Sequence, residues 1–347
     1  TVIRDTIAMI EKNDGKKIDI YSIPLDDSPV YDMLSQGDTD GVFQLESAGM
    51  KQFIKELRPS TFEDIIAGIS LYRPGPMDQI PRYIANKNHP EAIEYTDEKL
   101  APALEVTYGC MVYQEQVMQI VRDLAGYSLG RSDLVRRAMA KKKTEVMKEE
   151  REFFIHGILD EAGNVVVPGA LRNGITEEKA NRIFDEMMEF AKYAFNKSHA
   201  AAYALVAYQT AWLKYHYPVQ FMAALMTSIM GSSGKIAGYI QYCRKKNIPV
   251  LPPDVNESYA KFTVSKHTIR FGLAAVKNVG TPAIEAILSA RDKKGRFVSF
   301  LDFCRKTEDM GSNKKLVESL IKCGAFDSLG VHRSQLIAVY ERVLGSV

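Results

Sequence analysis

Apolar residues recur every three to four positions along most of the chain, the spacing of helices with one buried side. Val2, Ile3, Ile7 and Ile10 predict a helix over residues 1–12, ended by Asn13-Asp-Gly15. Ser28 as cap and Pro29 at the first position start another. Thr61 and Glu63 suggest a cap ahead of a helix over 65–71, and a further helix is expected over 112–124. Residues 144–158 and 176–191 read as amphipathic helices rich in Glu and Lys. Between them Gly163, Pro168, Gly169 and Gly174 predict an exposed loop over 160–174. Residues 200–215 and 218–230 are apolar on nearly every side, which predicts a buried helical pair as a spine. Gln209, Lys214 and His216 interrupt that region too often for a membrane span.

The pattern changes after Gly231-Ser-Ser-Gly234, a predicted hinge. A short helix over 237–246 and a rigid Leu251-Pro-Pro-Asp254 entry follow. Alternation over 262–264 and 269–271 then predicts a short β-hairpin. Residues 272–276, the turn Lys277-Asn-Val-Gly280, and residues 282–291 read as helix, tight hairpin, helix. Residues 316–344 read as a degenerate second copy. The expected fold is mainly α: a multi-helix domain, then a small α domain with tandem helix-hairpin-helix motifs and a short β-hairpin.

With 347 residues, 46% hydrophobic and 25% charged, the chain has the make-up of an ordinary soluble protein of two or three domains. Its formal net charge of +2 is unevenly spread. Residues 261–306 hold ten Lys or Arg against three Asp or Glu, a local balance of +7. Such a patch is the footprint of phosphate-backbone contact. Gly280 in the hairpin would let backbone N–H groups approach a phosphate at the positive end of the second helix. Lys277, Asn278 and Thr281 flank it, and Arg291, Lys293, Lys294 and Arg296 add charge. The four cysteines form no metal-binding or redox spacing, so reduced, buried thiols in a cytoplasmic protein are expected. Asp38-Thr-Asp40 has the paired carboxylates of a cation site, but flanking Gly37 and Gly41 favour a turn. The first residues show no signal peptide or initiator Met, as in a piece of a larger protein.

Residues 126–143 carry the sharpest chemistry. Ser132 is the expected N-cap, with Asp133 in the first turn. Leu134, Val135, Ala138 and Met139 fall on one helical stripe, with Arg136, Arg137, Lys141 and Lys143 on the opposite arc. This is either a solvated basic face or an anion site. Guanidinium forks suit phosphate oxygens and ammonium groups add a movable charge, so a polyphosphate is the natural ligand. Tyr113-Gln-Glu-Gln116 reads as a structural polar network, since no nucleophile or His accompanies it.

Five stretches carry a family resemblance: Gly41-Val-Phe-Gln-Leu-Glu-Ser-Ala-Gly-Met50, Tyr72-Arg-Pro-Gly-Pro76, Tyr113-Gln-Glu-Gln-Val-Met118, the basic stretch above, and Ala194-Phe-Asn-Lys-Ser-His-Ala-Ala-Ala-Tyr203. In this order they are similar to successive signatures of the bacterial replicative DNA polymerases of family C, the DNA polymerase III alpha subunits. The resemblance implies a connector after the palm over 1–38, nucleotide-binding fingers over 39–232, and a tandem helix-hairpin-helix domain binding duplex DNA over 233–347. It implies that Arg136 and Arg137 contact the triphosphate of the incoming deoxynucleotide, with Lys141 and Lys143 adding potential. Asn196, Lys197 and His199 would face the nascent base pair or the triphosphate, His199 alternatively serving as a cap or core hydrogen bond. Arg73 would point toward substrate or brace its turn, and Tyr203 reads as packing rather than a stacking platform. Mg²⁺ would be held by palm aspartates whose motifs nothing here resembles, so this stretch is expected to bind deoxynucleoside triphosphates and primer-template DNA without catalysing. Sliding-clamp and other replicase contacts would lie elsewhere in such an enzyme, and no membrane contact is expected. A stand-alone non-catalytic DNA-binding module and the error-prone paralogue are the alternative readings. The Arg131-Ser-Asp-Leu-Val-Arg-Arg137 wording favours the main alpha-subunit type.

Overall fold

The computed structural model describes residues 1–141, 143–308 and 313–346. Helix α1 (Val2–Asp14) stops where Gly15 turns left-handed at φ 67°. α2 (Ser28–Ser35) begins one residue earlier than expected, with Asp27 at the cap position and Pro29 inside the first turn. α3 (Ala48–Leu57) is capped by the Ser47 hydroxyl, which accepts from the Met50 N–H. α4 (Phe62–Leu71) opens with a capping box between Thr61 and Asp64. Asp64, not the expected Glu63, supplies the reciprocal bond, because only the third helical position reaches back to the cap. α5 (Ile80–Asn88), α6 (Ala101–Leu104) and α7 (Gln114–Ala125) follow, the last closed by Gly126 at φ 74°.

The basic stretch forms α8 (Leu129–Ala140), one turn ahead of the expected start. Ser128, not Ser132, caps it: the Ser128 hydroxyl accepts from the Arg131 N–H at 3.2 Å. Ser132 is instead buried, its hydroxyl donating back to the Leu129 carbonyl. Val135 and Ala138 are buried as expected, but Leu134 is 61% exposed. The Met139 side chain lies outside the described residues. α9 (Thr144–His156) leads into a stretch expected to be a plain loop. The strands β1 (Ile158–Leu159) and β2 (Val165–Val167) pair there antiparallel, followed by α10 (Gly169–Arg172). Asp160 folds the hairpin tip by accepting from the backbone of Ala162 and Asn164. A Cβ on Gly157 would sit 2.3 Å from the Val167 carbonyl, and one on Gly169 2.4 Å from the Gly157 nitrogen. Two glycines therefore permit a backbone crossing that a spacing argument cannot see. Next come α11 (Glu177–Ala191), capped by Thr176, α12 (Lys197–His216) and α13 (Pro218–Ser228).

α14 (Ser233–Lys245) precedes a three-stranded sheet of order β3-β5-β4. The expected hairpin is β4 (Thr263–Ser265) against β5 (Thr268–Arg270), and β3 (Val250–Leu251) adds a parallel edge. The sequence shows that edge only as a rigid entry, since two residues before Pro252-Pro253 carry no period of their own. α15 (Thr281–Lys294), α16 (Phe300–Lys306), α17 (Lys314–Lys322) and α18 (Arg333–Gly345) complete a mainly α fold.

The chain divides into two compact units, Pro24–Ala211, and Thr1–Ile23 with Trp212–Val347. In the first, α7, α8, α9 and α11 share a core that includes Val117, Ile120, Val135, Phe154, Ile183 and Phe184. In the second, Ile10, Leu213, Phe221, Met222, Cys243 and Ile269 form one cluster. Phe297, Phe300, Phe303, Leu320 and Phe326 centre another. The run from Gln220 to Thr227 is wholly buried, as its uniform apolar pattern predicts. Cys110, Cys243 and Cys304 are buried free thiols and Cys323 is half-buried. Burial pushes the Cys243 thiol up to about 12 and Cys304 to about 11. Among the described residues no helix is long and apolar enough to cross a membrane.

Candidate functional site

On α8 three arginines divide between two carboxylates. Arg131 bonds Glu150 of α9 at 2.8 Å and stacks over Tyr127 and Phe153 at 5.1 and 4.9 Å. The Tyr127 hydroxyl donates to the same carboxylate at 2.8 Å. Arg131 is therefore a packing cation. Arg136 and Arg137 both lean on Asp133, at 2.7 Å each, from one helical turn ahead. The Arg136 hydrogen bond, ahead of all other influences, holds the Asp133 carboxyl below the usual carboxylate range. One carboxylate shared between two guanidiniums leaves donors unused and positive charge in surplus. Arg137, Lys141 and Lys143 are exposed and Arg136 is half-buried. The basic run thus has an acidic partner that composition alone overlooked.

A second cluster surrounds the N-terminus of α12. The Asn196 carboxamide oxygen accepts from the His199 N–H at 2.9 Å, a side-chain cap. Glu115, from the first turn of α7, accepts from the Lys197 N–H at 3.0 Å and from Asn196 Nδ2 at 3.0 Å. Its charge sits where the dipole of a 20-residue helix favours an anion. Lys197 Nζ pairs with Glu63 at 3.0 Å and lies 5.2 Å from the Tyr113 ring centroid. Tyr113 Oη is buried without a hydrogen-bond partner, and burial drives its phenol up. Gln116 ties this motif together, its oxygen accepting from the Val112 and Tyr113 N–H groups while its nitrogen donates to Ala103 and Thr107. Arg73 lies over Phe195, 4.2 Å to the ring centroid. Its turn requires Gly75, at φ 101°, whose Cβ would fall 2.1 Å from the Tyr193 ring. A cavity of about 190 Å³ lined in part by Gly75, Arg82, Met111 and Tyr193 contains none of the predicted residues.

Arg73, Asn196, Lys197 and His199 are therefore brought together. Among the described residues no hydrogen bond, ion pair or ring contact joins them to Arg136 or Arg137. The sequence shows Glu115 only as part of a polar network; its partners are 81 and 82 residues away, so no local spacing reveals its role.

In the other unit, the first hairpin helix shrinks to one 3₁₀ turn, Leu273–Ala275. The left-handed position belongs to Asn278, at φ 67°, while Gly280 has ordinary extended backbone. Asn278 Nδ2 donates to the Ser319 hydroxyl of α17 at 2.9 Å, tying the first hairpin to the second copy. Gly280 caps α15, and a Cβ there would meet only Pro282, at 3.8 Å. Thr281, Lys277 and Lys293 are exposed. Arg291 donates to the Val255 and Ser258 carbonyls and stacks on Tyr259. Lys294 donates to the Lys306 carbonyl at 3.0 Å, and Arg296 pairs with Glu257. Among the described residues no three His, Cys, Asp or Glu side chains gather in a metal-holding cluster, and Asp40 pairs with Lys51 at 2.7 Å.

A family model described as the bacterial DNA polymerase III alpha subunit finger domain matches residues 1–162, and a helix-hairpin-helix motif model matches residues 247–336. The DNA polymerase III subunit alpha of Thermus aquaticus is 48% identical over 349 residues, covering 99% of this chain and 28% of that protein. That of Escherichia coli K12 is 46% identical, covering 97% and 29%. That of Bacillus subtilis strain 168 is 43% identical, also covering 97% and 29%. The chain thus spans under a third of the length of these relatives. Motifs in order, finger and helix-hairpin-helix matches and near-half identity from end to end agree: the chain belongs to the bacterial DNA polymerase III alpha subunit family and covers its finger and helix-hairpin-helix regions.

Proposed function

We propose that this chain is the nucleotide-binding fingers and duplex-binding module of a template-directed DNA polymerase. The observation that carries it is the paired, half-satisfied guanidinium fork of Arg136 and Arg137 on Asp133, beside exposed Lys141 and Lys143. A triphosphate offers more acceptor oxygens than one carboxylate, so it can take over donors that Asp133 engages incompletely. Phosphoryl transfer depends mostly on positioning and charge stabilisation, and this fork supplies both for the incoming nucleotide. Asn196, Lys197 and His199, on the pinned start of α12, face the nascent base pair or the triphosphate.

The functional division follows the resemblance: a connector over 1–38, fingers over 39–232 and the duplex-binding region over 233–347. Lys277, Thr281 and Lys293, with the N-terminal amides of α15 behind Gly280, meet DNA phosphates. Asn278, Arg291 and Lys294 hold that surface in shape. Mg²⁺ is supplied by carboxylates outside these residues, so the stretch binds without catalysing by itself. Clamp and other replicase contacts belong to other parts of such an enzyme.

In the polymerase that contains this chain, Arg136→Ala or Arg137→Ala should each remove charge-assisted bonds of about 1.5–3 kcal/mol. Nucleotide incorporation efficiency should fall roughly ten- to a hundredfold, measured by single-turnover primer extension. Wild-type efficiency in both variants would make the helix a solvated basic face. Reproducible primer extension by the purified 347-residue chain with Mg²⁺ would refute the binding-only reading.

A further inference from the structure

Five side chains of the unit Pro24–Ala211 form an unbroken line of ring contacts. The Arg73 guanidinium lies over Phe195, with 4.2 Å to the centroid. Phe195 meets His199 edge-on at 5.6 Å. His199 meets Tyr203 at 4.6 Å with the planes tilted by 40°. Tyr203 meets Phe43 at 5.5 Å and 38°. His199 and Tyr203 are four residues apart on one side of the start of α12, and Phe195 lies just ahead of that helix. Phe43 and Arg73 close the two ends from separate segments.

The line lies open to solvent. Tyr203 is 37% and Phe43 38% exposed, and His199 and Arg73 are exposed as well. The other side of the helix, through Ala200, Ala204 and Ala207, supplies the buried face. Core packing therefore does not account for large rings held in a row at the surface. Their support is rigid: Glu115 and Asn196 pin the helix start, and Gly75 lets the Arg73 turn close against Tyr193.

We propose that this strip is a stacking platform for the bases of an unpaired DNA strand. Exposed rings at Phe43, His199 and Tyr203, with half-buried Phe195 under a guanidinium at the end, match the chemistry of single-strand binding, where each base has a π-face to offer. Duplex DNA buries those faces, and the strip has no row of amide or guanidinium groups for reading groove edges. The proposal rests on the DNA-binding reading above but not on the arginines of α8, and it extends the site to Phe43, Phe195 and Tyr203.

The test uses the whole chain with a fluorescent oligothymidylate carrying 5-iodouracil. Irradiation should place adducts on Phe43, Phe195, His199 or Tyr203. By anisotropy, Tyr203→Ala and Phe43→Ala should each weaken oligomer binding about fivefold or more. Tyr203→Trp should bind at least as tightly as wild type. Circular dichroism and thermal melting establish that each variant is folded. Adducts confined to residues 233–346, or folded Tyr203→Ala binding like wild type, would overturn the proposal. So would a Tyr203→Ala effect on free dTTP binding with none on the oligomer. Incorporation by Arg136 variants and oligomer binding by Tyr203 variants are separate assays, so either reading can fail alone.

Discussion

The cations assigned to the two candidate binding surfaces are held in different ways. Around α8 and α12 the cations lean on carboxylates: Arg131 on Glu150, Arg136 and Arg137 on Asp133, Lys197 on Glu63. In the helix-hairpin-helix region Arg270, Arg291 and Lys294 lean on backbone carbonyls, while Arg296, Lys306 and Arg333 pair with Glu257, Asp302 and Asp327. Others there, Lys277 and Lys293, have no partner among the described residues. A carboxylate partner is itself an anion and can be exchanged for another, which suits a nucleotide that comes and goes. A carbonyl fixes a cation's position without cancelling its charge, which suits a standing electrostatic surface for a polyanion.

Salt gives the widest test of that contrast. If the hairpin region neutralises on the order of four phosphates, duplex affinity should fall with a log–log slope of about −3.6. That is roughly a hundredfold between 50 and 200 mM salt, read by fluorescence anisotropy on the whole chain. Triphosphate binding at α8, an exchange of one anion for another, should weaken only a few-fold by calorimetry over the same range. Equal slopes would erase the distinction.

Next in size is a difference within α8 itself. Arg131 sits over two rings with a largely buried partner, so Arg131→Ala should destabilise the fold by about 2 kcal/mol in urea titrations. Arg137, exposed, should cost under about 0.5 kcal/mol. Similar losses for both would mean that the helix does not divide its arginines between packing and binding.

Gly280→Val probes the hairpin. In the free protein a Cβ at Gly280 would meet only Pro282, at 3.8 Å. Loss of duplex affinity of about tenfold, against about threefold for Lys277→Ala, would therefore report blocked backbone approach. Unchanged binding by Gly280→Val would reduce the hairpin to a packing device.

The smallest effect has the opposite sign. Asp133→Asn frees both guanidiniums and should tighten triphosphate binding about threefold. Weaker binding would show that Asp133 orients the fork rather than competing for it.

Much of the fold was legible because its determinants lie within one or two helical turns. Gly15 ended α1 where expected, α7 stops within one residue of its expected end, and the apolar pattern over 218–230 announced the burial of Gln220–Thr227. The ordered motifs announced the family. The start of α8 was misread because Ser128 and Ser132 are both good caps one turn apart, and only packing chose between them. The Asp133 fork was available from its spacing of three and four residues, but charge counting passed over it.

The sequence by itself determined the helices, their stops, the basic run and the family, since each depends on neighbours that the chain already holds close together. Tertiary structure alone decided which charges are spoken for. Glu115 reaches the start of α12, Glu63 reaches Lys197, Asn278 reaches Ser319, and Arg291 turns inward to carbonyls 33 and 36 residues away in sequence. A hydrogen bond acts over about 3 Å whatever the sequence separation. Which distant groups come that close is set by how whole helices pack, and no local pattern records it.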